Sequence, residues 1–143
     1  MSARIQHDHP SIETVRATIE RAGSTAHPRL VFPEEPSLFP EGLIHVTLSD
    51  SQYRGLLDHN FEGVPQLRSV YDNARLARSR DPDASNRLRE WFANSDLEFG
   101  RSVHIDVIEP GHQYGIRVPG ASAVYTPVSK PDDSLASIAE ELE

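Results

Sequence analysis

His104 and Asp106 stand two residues apart, a spacing that puts an imidazole and a carboxylate on the same side of a strand. Such a pair can act as general acid and base, with Tyr114 as a third polar group of an enzyme site, but a solvated sheet face gives the same alternation. Arg75 and Arg78, three apart with Arg80 just beyond, form a positive stripe on one helical face. Guanidinium forks of this kind grip a phosphate or the edge of a guanine, yet Asp72, Asp81 and Asp83 flank them and can neutralise them within the protein. Asp72 reads equally well as the cap of that helix. His7 and His9 lack a third ligand nearby, so the pair suits adventitious metal binding only. The stretch 21–29 collects two guanidiniums, two hydroxyls and an imidazole, and 59–63 makes a second polar loop.

These side chains need a scaffold, and the apolar pattern supplies one. Val15, Ala17 and Ile19 alternate with polar residues as in a half-buried strand. Arg29 to Pro33 reads as a short strand closed by proline. Leu43 to Leu48 and Gln52 to Leu57 form a hairpin across Ser49-Asp50-Ser51, with Ile44, Val46 and Leu48 on one face, and Val64 to Val70 returns as another strand. A short helix is expected over 71–80 from its helix-forming residues, and a second one carries Leu88, Trp91 and Phe92 behind a Ser85 cap, stopping at 94–96. Val103, Ile105 and Val107 then pass through Glu109-Pro110-Gly111 into Tyr114, Ile116 and Val118, and residues 123–125 add a last strand. Leu135, Ile138 and Leu142 give a short C-terminal helix that docks or frays. The sum is an α+β protein: a small, mostly antiparallel barrel with two or three peripheral helices. A flexible leader is expected at 1–12, the barrel domain at 13–126, and a linker with the short helix at 127–143.

Composition removes whole classes of chemistry. With no cysteine in 143 residues, disulfides, thiolate metal sites and thiol catalysis are excluded. Phosphate-loop, dinucleotide, Gly-x-Ser-x-Gly, His-Glu-x-x-His and calcium-loop patterns are missing as well, so neither an enzyme nor a cofactor or metal is expected. No apolar run reaches the roughly 18 residues of a membrane span, and a cytoplasmic location without membrane contact follows as the expectation. Acidic residues outnumber basic ones 22 to 14, and Lys130 is the one lysine, a balance that resembles the proteins of salt-loving archaea. The net charge of −8 repels nucleic acid at low ionic strength, whereas in molar salt the Debye length of about 3 Å removes that repulsion.

The order of elements resembles the DNA-binding pseudobarrel superfamily, known from plant auxin-response transcription factors and the effector domain of certain restriction endonucleases. Arg29-Leu30-Val31-Phe32-Pro33 stands at the family's early strand, Phe39-Pro40-Glu41-Gly42 precedes the hairpin, and residues 86–92 lead through Leu97-Glu98-Phe99-Gly100 into Val103-His104-Ile105. The match spans roughly 15–118, with 71–85 as an insertion. The resemblance implies a pseudobarrel fold and two arms that hold the major groove of double-stranded DNA like a wrench. On this chain the first arm would use Arg21, Ser24, Thr25, His27 and Arg29, and the second His59, Asn60, Gln66 and Arg68. Both arms must then project from the same rim. The alternative is a non-enzymatic interaction or assembly module that engages a protein partner, or a second copy, through the C-terminal helix.

Overall fold

The computed structural model of the protein describes residues 4–21, 27–35, 37–79 and 84–128. The expected C-terminal helix, Ser24, Thr25, Arg80, Asp81 and Asp83 lie outside the described residues. Among those described, the elements run β1 (Ile5–Gln6), β2 (Glu13–Arg21), β3 (Pro28–Val31), β4 (Gly42–Leu48), β5 (Ser51–His59), β6 (Pro65–Tyr71), α1 (Ala74–Ser79), α2 (Arg87–Asn94), β7 (Ser102–Glu109), β8 (Gln113–Arg117) and β9 (Val124–Tyr125).

Seven of the strands close a barrel in the order β2-β3-β6-β5-β4-β8-β7. It is mixed where a mostly antiparallel barrel was expected, because β4 and β8 run parallel, Val46 beside Tyr114 and Leu48 beside Ile116. That pairing joins segments nearly seventy residues apart and leaves no trace in local alternation. The period-2 pattern fills the interior: Ala17 and Ile19, Ile44, Val46 and Leu48, and Val103, Ile105 and Val107 are all buried in one core. Phe39 stacks between Phe32 and Tyr114, with ring centroids 4.8 and 5.5 Å away, and Leu88 and Trp91 of α2 complete the cluster.

The turn between β4 and β5 puts both Ser49 and Asp50 at positive φ, the geometry a two-residue hairpin demands. Asn86, and not Ser85, caps α2. Its Oδ1 accepts from Leu88 N–H at 3.1 Å and also from Val70 N–H at 3.1 Å, so one amide starts the helix and ties it to β6. Asn73 takes the cap role expected of Asp72, accepting from Leu76 N–H at 2.9 Å. Asp72 instead receives both arms of Arg87, at 2.8 and 2.9 Å, which holds its carboxyl below the usual range.

The stretch read as a leader contributes β1, which pairs with β9 in a two-stranded strap. Strands β1 and β9 lie outside the barrel, and the segment around β9 covers β8. Gln113 donates to Thr126 O at 3.1 Å and accepts from Val128 N–H at 2.7 Å. Residues 113–116 of β8 are therefore buried on both faces.

Candidate recognition cleft

Antiparallel register decides where the two polar segments go. Pairing of Glu20 with Arg29 and Arg21 with Pro28 sends the β2–β3 connection beyond the first residue of β3. Pairing of Leu30 with Leu67 and Val31 with Gln66 sends the β5–β6 turn beyond the last residue of β3. The two segments leave opposite rims, which corrects the expectation that both arms project from one. Because β3 is antiparallel to both neighbours, β2 and β6 run in the same direction, and a segment that follows the end of β2 lies at the other rim from one that precedes the start of β6; that geometry prevails over the resemblance.

The β5–β6 turn is built around Asn60. Its side-chain oxygen accepts from Glu62 N–H at 2.9 Å and Val64 N–H at 3.0 Å, while Gly63, at φ 82°, donates its N–H to Asn60 O at 3.0 Å. This tight turn leaves Phe61 no apolar neighbour to pack on, and the ring stands fully in solvent.

Behind Phe61, the outward faces of β2, β3, β6 and β5 carry a row of paired charges. Arg29 donates from Nη2 to Glu20 at 3.0 Å and from Nη1 to Gln66 Oε1 at 2.7 Å. Arg68 donates to Asp58 at 2.9 Å, and His59 Nδ1 lies 3.0 Å from Glu41. Arg29, His59, Asn60, Gln66 and Arg68 thus come together with Asp58 and Phe61 around one concavity of about 630 Å³. The Nε of Arg29 is enclosed without a hydrogen-bond partner among the described residues. Three carboxylates, Glu20, Asp58 and Glu41, were not foreseen here. Each sits on a strand or turn nine or more residues from the side chain it faces, and spacing alone does not reveal such pairs.

The remaining members of the expected site lie elsewhere. Arg21 stacks its guanidinium 4.2 Å above the Phe99 ring. His27 lines a separate concavity with Tyr71, Asn86 and Arg89.

His104, Asp106 and Tyr114 do not come together as one group. Tyr114 faces the core, donating to Leu38 O and accepting from Gly111 N–H, whereas His104 and Asp106 face outward. Asp106, read as half of a solvated face, is completely buried. It accepts from Thr14 at 2.6 Å, from Arg117 at 2.8 and 3.2 Å, and from the Tyr125 hydroxyl. Four donors on one carboxylate make a structural lock that seats the strap. Arg75 and Arg78 sit on α1, and burial, followed by the like charge of Arg78, lowers the pKa of Arg54. Among the described residues there is no group of three or more potential metal ligands, and no helix is long and apolar enough to cross a membrane.

These features define a small closed β-barrel with a strapped outer face and an aromatic-tipped hairpin beside a charge-paired cleft. The chain belongs to a family of unknown function, DUF7112, whose profile matches residues 1–142. No curated protein and no solved structure matches it.

Proposed function

We propose that the protein is a non-enzymatic interaction module that recognises a protein partner with the β5–β6 hairpin. One observation carries this reading: Phe61 is fully exposed at the lip of a cleft whose arginines are already paired. Aromatic residues and arginine are the types enriched at the centres of protein interfaces, and paired arginines carry less uncompensated charge into a covered surface than bare ones. A nucleic-acid backbone asks for the opposite of this cleft, a run of cations without internal carboxylates, and the chain's net charge of −8 adds to the mismatch with a polyanion. Affinity capture with the full chain tests the reading. The expected result is a stoichiometric protein partner lost with Phe61→Ser, while the melting temperature stays unchanged. A partner retained by that variant overturns it.

Double-stranded DNA is the second reading, favoured by the gathering of Arg29, His59, Asn60, Gln66 and Arg68 on one concavity. A single-arm contact replaces the wrench on this reading. Saturable binding to a random duplex library, with an affinity that falls as salt rises and that Arg68→Ala weakens, would support it.

A further inference from the structure

A second concavity, of about 500 Å³, opens on the outer face where residues 95–101 lead from α2 into β7. Its chemistry differs from that of the cleft. Arg16 and His104 are direct cross-strand partners, and Arg117 stands beside His104 on the next strand. Arg117 is committed to Asp106, but no carboxylate pairs with Arg16 among the described residues. Arg101 has one acidic neighbour, Glu98 at 4.0 Å, and both side chains are largely exposed, so water screens that pair.

The imidazole of His104 has one ring nitrogen to offer. Its Nδ1 is enclosed and meets no hydrogen-bond partner among the described residues. An orphaned N–H costs more than an orphaned lone pair, which favours the tautomer with its proton on Nε2 whenever the ring is neutral. Burial, then the charges of Arg117 and Arg16, hold the imidazole below its ordinary pKa. A bound anion offsets that positive field.

We propose that this concavity binds the phosphate group of a small organic phosphate, with Arg16, Arg101 and His104 Nε2 as its donors. Donors arriving from β2, from β7 and from the connection before it surround a tetrahedral oxyanion, whereas one guanidinium fork satisfies a planar carboxylate. Ser102 adds a hydroxyl, and Leu97 and Val118 supply an apolar wall for the organic part. The volume lies within the usual range of small-molecule sites, roughly 300–1,000 Å³. Asp96 and Glu98 share the rim and oppose an anion, which gives the proposal a sign to check.

The experiment follows the His104 ring protons by NMR, assigned with His104→Gln, while inorganic phosphate or propyl phosphate is added to the full chain at constant ionic strength. Both probes are expected to shift the His104 signals saturably, with propyl phosphate the tighter. Arg16→Ala and Arg101→Ala should each weaken binding at least fivefold, Glu98→Gln should strengthen it, and the remote Arg89→Ala should leave it unchanged. Arg16 and Arg101 are exposed, and an unchanged melting temperature verifies the fold of each variant. The proposal is overturned by the absence of a saturable shift, by equal shifts from chloride, or by equal weakening in Arg89→Ala. It stands or falls independently of the hairpin's partner, because Phe61→Ser leaves this site intact.

Discussion

The ring of Tyr125 lies on the bare Cα of Gly115: a Cβ at that glycine would stand 2.2 Å from the ring atoms. The absent side chain makes the notch into which the strap's tyrosine fits, with its hydroxyl donating to Asp106 on the neighbouring strand. Gly115→Ala should therefore destabilise the protein by about 1–3 kcal/mol through overpacking alone. Urea denaturation measures this. An unaltered midpoint would mean that the strap does not rest there.

Ion pairs on the two faces should differ sharply in worth. Arg117 is mostly enclosed and Asp106 wholly so, and removing the guanidinium strands a buried carboxylate. Arg117→Ala should cost about 3–5 kcal/mol. Arg68→Ala breaks a pair that is partly in solvent and should cost no more than about 1 kcal/mol. The same denaturation series compares the two, and similar losses would contradict the burial of Asp106.

Stability should depend on pH at both ends of the range. Burial, with the charges of Arg54 and His112, lowers the pKa of His45 to about 4, from 6.5 for a free imidazole. Between those values the unfolded chain binds the proton and the folded chain does not, so His45 favours folding above pH 6.5 and loses that contribution as pH falls toward 4. His104 acts in the same sense. In alkali the sign reverses: burial, then the bond to Asp106, raises the pKa of Tyr125 above the ordinary 10.0, so stability should fall once unfolded tyrosine ionises above that pH. Melting temperatures from pH 4 to 11 test both limbs, and His45→Gln should flatten the acid one.

Opposite placement of the two polar segments can be measured as a distance. The chain has no native cysteine, so spin labels at His27→Cys and Glu62→Cys report cleanly. With strands rising about 3.3 Å per residue, the labels should lie roughly 20 Å or more apart. A distribution centred near 10 Å would restore the two-armed grip.

Legibility in the sequence followed the range of the interaction. Alternation in Ile44, Val46 and Leu48 or in Val103, Ile105 and Val107 revealed each strand and its buried face, because burial on one side of a sheet is written every second residue. The turn at Ser49 and Asp50 was equally local. Barrel closure through β4 and β8 was not, nor was the burial of Asp106, whose cover arrives from Tyr125 nineteen residues on. At the cleft, Arg29, Gln66 and Arg68 were visible as donors, but Glu20 and Asp58, which occupy them, become neighbours only after pairing of β2, β3, β5 and β6. Phe61 passed unremarked inside a polar turn. An aromatic residue in a turn that needs none was the available signal.

Recognition through the hairpin tip is tested most directly by replacing Phe61 with a photoreactive benzoylphenylalanine in the cells that make the protein and irradiating them. A discrete protein–protein adduct, lost when the photoreactive group is moved to exposed Arg89 on the opposite rim, is the predicted result. An adduct with nucleic acid, or no adduct at all, would contradict it.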